Sequence, residues 1–228
     1  RSPELWAFKA CFLMSASLLD TQTPALEASY GAANPEFTVA YSGFVNGETL
    51  ATSGLSGKPD FITSAVATSP VGNYEIAASG GTLASGNYDF TYVKGVLSIG
   101  KAMVMVTADA KSRTYGTANP AFTATYTGFV NGETMATSGI SGQPSLTTAA
   151  VATTNVGVYP ITAAMGTLAS SNYNFSFTNG ILNIEKAMLN VNADNKWKSY
   201  GAMNPALTAT ISGFMNNETL SNSGVTGL

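Results

Sequence analysis

The chain has 228 residues, 45 % of them hydrophobic, only 10 % charged, and a net charge of −3. That apolar fraction can bury real cores and excludes a disordered tail, while the scattered basic residues give no clustered footprint for a phosphate backbone. No histidine is present and the only cysteine is Cys11, which removes the commonest general base, any intrachain disulfide and any cysteine-based zinc site. The polar surface must come from Thr, Ser, Asn and Gly, which suit strands and turns and serve helices poorly. No run of about 18 apolar residues is present, so no spanning helix is expected.

In chain order, the first signal is Lys9 followed by the apolar stretch 10–19, with 25–28 as a weak cleavage region. It mimics a signal peptide; a degenerate opening strand, or sequence foreign to the repeats, is the favoured reading. From residue 28 a repeat begins. Tyr30-Gly31 with Asn34-Pro35 recurs as Tyr115-Gly116 with Asn119-Pro120, and again as Tyr200-Gly201 with Asn204-Pro205, each step being 85 residues. Gly43-Phe44, Glu48-Thr49, Val71-Gly72, Tyr74, Asn87-Tyr88 and Lys101-Ala102 keep that step. Between 30–100 and 115–185 about 60 % of positions are identical without a gap, far beyond chance, and the period is the size of a small domain. The expected domains are therefore a non-repeat segment 1–27, a first repeat 28–100 with an uncertain opening strand, a complete second repeat 101–185, and a partial third repeat 186–228. Both ends read as cut.

Within the second repeat, 103–108 is an apolar β-branched run, and its counterpart 189–193 alternates. Residues 122–127 alternate between an apolar face and a Thr face. The stretch 128–142 is turn-rich, and Asn131-Gly132-Glu133-Thr134 is a candidate single helical turn. Residues 145–152 read as a weak strand. Tyr159, Ile161 and Ala163 share one face, and Tyr173, Phe175 and Phe177 share another. Asn179-Gly180 leads into 181–184 and reads as a hairpin turn. About six short strands per repeat point to all-β, tandem, small antiparallel Ig-like β-sandwiches. A β-grasp-like variant with one short helix per unit is the second choice. Glu185 runs directly into Lys186 with no Pro- or Gly/Ser-rich linker, so bending between repeats is expected to be restricted.

Lys101-Ala102, Tyr115-Gly116, Asn119-Pro120, 128–133, Val156-Gly157, 159–161, Asn172-Tyr173 and 180–184 together resemble the MBG (mostly-β, glycine-rich) and YDG-type repeat domains of bacterial surface proteins. The resemblance covers about 28–228; residues 1–27 depart from it. It implies modules of large exported proteins, including filamentous-haemagglutinin-like adhesins, and brings no catalytic residues.

Each candidate site has a plainer role beside the sharp one. The Tyr-Gly/Asn-Pro motif is a ligand loop or, preferably, a turn. Glu133-Thr134, like Glu48-Thr49 and Glu218-Thr219, is a cation ligand or, preferably, a cap or solvated turn, since hard cations want six to eight oxygens. Tyr173, Phe175 and Phe177 are a sugar platform or, preferably, core. A serine nucleophile would have only a lysine to activate it, and no Ser-x-x-Lys element stands out. Asn174-Phe175-Ser176 and Asn217-Glu218-Thr219 fit the glycosylation triplet. No catalytic, metal or cofactor residues are expected, and ligand-binding residues are unknown. The expectation is a non-catalytic stalk module of a secreted or cell-surface bacterial adhesin, with neighbouring repeats as partners. The alternatives are a multivalent glycan- or matrix-binding module with contact loops at 128–142 and 168–171, or an accessory domain of a secreted enzyme. No nucleic acid and no membrane insertion are expected.

Overall fold

Alternation in the sequence becomes alternation in burial along most strands of the computed structural model, which describes residues 10–15 (backbone only) and 26–226. The first repeat holds β1 (Ala10–Ser15), β2 (Leu26–Ser29), β3 (Ala40–Tyr41), β4 (Asp60–Thr63), β5 (Gly72–Ser79), β6 (Tyr88–Val93) and β7 (Gly95–Gly100). The second holds β8 (Ala102–Ala108), β9 (Lys111–Thr114), β10 (Ala124–Thr127), β11 (Ser145–Thr147), β12 (Gly157–Ala164), β13 (Tyr173–Thr178) and β14 (Gly180–Glu185). The third contributes β15 (Asn190–Ala193) and β16 (Ala209–Ser212).

Each of the first two repeats is built from the same two sheets. In the second, the sheet orders are β10-β8-β13 and β11-β12-β14-β9; in the first they are β3-β1-β6 and β4-β5-β7-β2. Along β8, Ala102, Val104, Val106 and Ala108 are buried while Met103 and Met105 face out. Ala108 and Phe177 from one sheet pack with Leu146, Ile161, Ala163, Leu182 and Ile184 from the other, which makes the sandwich core. Fully burying Ile161, Leu182 or Ile184 contributes about 1.5–3 kcal/mol each. The third repeat has one two-stranded sheet, and its apolar residues Val191, Trp197, Met203 and Leu207 are exposed.

The all-β expectation holds, with two differences in detail. The sheets are mixed rather than wholly antiparallel: β9 runs parallel to β14 and β2 parallel to β7. The opening run of a repeat crosses from one sheet to the other, so its second half lies beside the last strand. Asp109 pins that crossing: its N–H donates to Thr123 O (2.8 Å) and its carboxylate accepts the hydroxyls of Thr123 and Thr125. Second, no helix occurs among the described residues: Asn131-Gly132 is a tight turn, and the single helical turn expected there is limited to the bonds of Thr137 N and Ser138 N to Thr134 O (3.0 and 2.9 Å). Asn131 (φ 55°) and Gly132 (φ 70°) both adopt the left-handed region that a type I′ turn requires.

The Asn179-Gly180 hairpin is also corrected. β13 and β14 belong to different sheets, so this pair carries the chain around a corner. Gly180 is needed for space: a Cβ there would lie 2.4 Å from Ala108 O. The first repeat keeps the glycine and has Lys94 in place of the asparagine.

At the N-terminus, β1 pairs antiparallel with β3 and parallel with β6, the same neighbours by position that β8 has. Met14 faces Tyr41 where Val106 faces Tyr126, so β1 sits 92 rather than 85 residues before its counterpart. Lys9 and residues 16–25, which hold much of the signal-like stretch, lie outside the described residues, as does the side chain of Cys11.

The chain forms two compact units that cut across the repeats. One combines Arg1–Val104 with Gly128–Ser141 and Ala169–Asn174; the other combines Met105–Thr127, Gly142–Leu168 and Phe175–Leu228. The first unit therefore unites the first repeat with two segments of the second.

Candidate functional site

Those two segments carry a polar constellation at the junction of the first and second repeats. It is built from two turns. β2 ends in the Tyr30-Gly31 turn, fixed by Tyr30 N donating to Gly100 O (2.8 Å) and Gly31 N to Ala67 O (3.0 Å). Gly31 has φ +84°, and asparagine at 34 ties the turn down through Nδ2 to Ala65 O (2.7 Å). The opposing turn is the type I′ turn at Asn131-Gly132, closed by Glu133 N donating to Val130 O (2.9 Å). It holds Glu133 facing the tyrosine.

The Glu133 carboxylate accepts two phenol hydroxyls. Tyr30 OH donates to Oε1 (2.6 Å) from the preceding repeat, and Tyr173 OH donates to Oε2 from its own. Tyr173 OH also accepts from Val130 N (3.2 Å), so the ring locks the turn it serves. The rings of Tyr30 and Tyr173 meet edge to face at 5.5 Å, and Phe129 meets Tyr173 likewise at 6.0 Å. Asn172 completes the junction by accepting from Val71 N (3.2 Å) and, through its own carbonyl, from Ala102 N (3.0 Å). Burial, then the bond to Glu133, push the Tyr173 phenol up to about 12. Tyr30 is raised too, chiefly by its bond to Glu133.

The same joint recurs between the second and third repeats. Tyr115 OH donates to Glu218 Oε1 (2.5 Å), again 103 residues away. The glycine after each tyrosine lies flat against an apolar side chain: a Cβ on Gly31 would be 2.4 Å from Val130, and one on Gly116 would be 2.4 Å from Met215. A cavity of about 560 Å³ opens beside this second joint, lined by Tyr115, Phe214, Met215 and Glu218. These are the counterparts, 85 residues on, of the groups that enclose Tyr173.

The structure thus revises several site expectations. Tyr-Gly is a turn, as expected, and its tyrosine also reaches the next repeat. Glu133, preferred above as a cap or solvated turn, is the acceptor that both tyrosines share. Tyr173 is core, as expected, with Phe177 packed on the core and Phe175 half-buried. In the contact loops anticipated at 128–142 and 168–171, Val130, Glu133 and Ser170 are engaged at the junction and Leu168 is buried, while Asn131, Gly132, Thr134, Ala136 and Thr137 stay exposed.

No group of three or more metal-ligating side chains occurs among the described residues. Contrary to the expectation above, Ser-x-x-Lys spacing does occur, at Ser98 and Lys101; Ser98 Oγ bonds Asn73 Oδ1 (2.9 Å) and Lys101 Nζ donates to Ser170 O (2.7 Å). The lysine is engaged at the junction. Arg113, buried in the second repeat, donates to Asn119 Oδ1 (2.7 Å), Val151 O (2.6 Å) and Thr114 O (3.2 Å). In the first repeat residue 28 is alanine, and Asn34 Oδ1 is buried with no partner.

The family comparison also finds three tandem segments. The MBG domain (YGX type) matches residues 24–98, 104–183 and 189–227. The chain belongs to this family. No curated protein and no solved structure matches it. The three MBG segments divide the chain where the 85-residue step does, to within a few residues, and each contains its own tyrosine, glycine and turn-borne glutamate.

Proposed function

We propose that this chain is a non-catalytic spacer: tandem MBG modules, taken as 28–100, 101–185 and 186–228, that form part of the stalk of a large secreted or cell-surface bacterial adhesin. The observation that carries the reading is the duplicated joint. Tyr30 with Glu133 and Tyr115 with Glu218 close two successive junctions by one geometry. A module whose most ordered polar residues are spent on its neighbour suits mechanical continuity better than ligand capture. Direct continuation of β7 through Lys101 into β8 leaves little slack between modules. Among the described residues no helix is long and apolar enough to cross a membrane.

The test is a set of adhesin variants with modules removed or added in whole 85-residue steps. Under the spacer reading, reach from the cell surface changes with module number while affinity for the target stays constant. If affinity instead climbs with each added module, the modules bind the target themselves through multivalency, and the spacer reading fails.

A further inference from the structure

We propose that Asn131 is a site of spontaneous deamidation gated by the first joint: its amide is kept while Tyr30 is docked on Glu133, is lost once that contact opens, and its product prevents the joint from closing again. Asn131-Gly132 lies in the turn that carries Glu133, and both residues are exposed to water. Glycine at 132 puts no side chain in the way of its own nitrogen, and nothing lies within 4 Å of where a Cβ there would stand. Among the described residues Gly132 N donates to no backbone acceptor. That nitrogen is the nucleophile. It loses its proton to water and bonds to Asn131 Cγ, while the Cγ–Nδ2 bond breaks and Nδ2 departs as ammonia. Water then opens the resulting imide at one carbonyl or the other. One opening leaves aspartate; the other leaves isoaspartate, whose main chain is longer by a carbon.

The joint holds this reaction back. Closing the imide requires the peptide between 131 and 132 to leave the left-handed setting that Asn131 (φ 55°) holds. Glu133 N donating to Val130 O (2.9 Å) and Val130 N donating to Tyr173 OH (3.2 Å) oppose that rotation. So do the bonds of Tyr30 and Tyr173 to Glu133, and the seat of Gly31 on Val130. The products act the other way. A lengthened main chain cannot keep Val130 O and Glu133 N at the ends of a two-residue turn. Either product also adds a carboxylate next to Glu133 and to the Tyr30 phenol, on whose titration Asn131 already acts. The chain carries its own comparisons. Asn46-Gly47 has the same turn (φ 55° and 72°), and Asn179 Oδ1 is held by Ala163 N (3.0 Å). At the second joint the turn is Asn216-Asn217 (φ 53° and 59°), so the attacking nitrogen there belongs to a residue with a side chain.

Peptide mapping by mass spectrometry, on the whole chain aged in warm, mildly alkaline buffer, tests this. Wild type converts Asn131 at least about tenfold more slowly than a synthetic peptide of residues 128–135, and Tyr30→Phe, which leaves the ring in place, speeds conversion about five- to tenfold. Asn46, Asn179 and Asn216 keep their wild-type rates in that variant. Chain converted at Asn131 alone, separated by its added negative charge, unfolds at a lower urea midpoint than fresh chain. Equal Asn131 rates in wild type and Tyr30→Phe overturn the proposal, as does a wild-type rate that matches the peptide. So does an Asn131 amide that persists in both proteins while the peptide converts. Equal acceleration at the three other asparagines would be general loosening and overturns the gating, and converted chain with the midpoint of fresh chain overturns the effect on the joint.

Discussion

Replacing Tyr30 by Phe removes one hydroxyl and leaves the ring on the edge of Tyr173. The lost bond is charge-assisted, a class that contributes about 1.5–3 kcal/mol. Glu133 is half-buried and keeps Tyr173 as a second donor, which places the expected cost lower, at about 1–1.5 kcal/mol. Tyr30→Ala also empties a buried ring site and is expected to cost about 3 kcal/mol or more. The specific content is the coupling. In a double-mutant cycle of Tyr30→Phe with Glu133→Ala, the interaction energy is expected near 1 kcal/mol. Urea unfolding of the whole chain, followed by circular dichroism, reads this. With an m-value of about 2 kcal/mol/M the single change moves the midpoint by roughly 0.5 M. A coupling energy below about 0.3 kcal/mol would mean that the two residues act independently, and the joint would carry no stability.

Arg113→Ala strands Asn119 Oδ1 and Val151 O and should cost about 2–3 kcal/mol; Ala28→Arg should raise stability by about 1 kcal/mol by giving buried Asn34 Oδ1 the donor it lacks, both read by urea midpoints. Gly180→Ala should cost about 2–3 kcal/mol through collision with the Ala108 backbone, whereas Gly132→Ala, with open space at φ +70°, should cost only about 1 kcal/mol; the reverse order would show that conformation outweighs space at the sheet corner. Tyr173 titrates near 12 in the fold against about 10 unfolded. Folding favours its protonated form, so that stability is complete below about pH 10 and is lost as pH rises through about 12; Tyr173→Phe should flatten the alkaline fall of the midpoint. Asp109 is held below the ordinary carboxylate range, first by its bond to Thr123 and then by Thr125. Its contribution is present above about pH 4 and disappears as pH drops through the lower folded value, an acid dependence that Asp109→Asn should reduce.

The strands were legible because period-two alternation is a local signal: the buried Ile161 and Ala163 lie on the face that it marks, and the buried Val104, Val106 and Ala108 match in step the alternating Leu189, Val191 and Ala193. Lys111–Thr114 escaped because its charged and hydroxyl residues carry no apolar alternation, and it is a strand only through its pairing with β14. The corner at Gly180 escaped because Asn-Gly is a turn signal that does not say which sheet receives the next strand. The joint was half visible. Tyr30, Glu133 and Tyr173 stand out as residues kept from repeat to repeat, but a bond spanning 103 residues and two modules leaves no mark in local pattern. What the sequence offered was that tyrosine and glutamate keep the same step, the arithmetic any junction between identical modules must obey. Arg113 had no such signal, since the first and third repeats carry Ala28 and Lys198 in its place.

Hydrogen exchange on the whole chain carrying Tyr30→Ala tests most directly whether the modules are joined through this contact. Opening the joint should speed exchange in the first repeat around 26–32 and also across 128–141 and 169–174 of the second, while the Tyr115 joint around 213–223 keeps its wild-type rates. Faster exchange confined to the first repeat, with 128–141 unchanged, would mean that the modules fold side by side without supporting each other and would contradict the account.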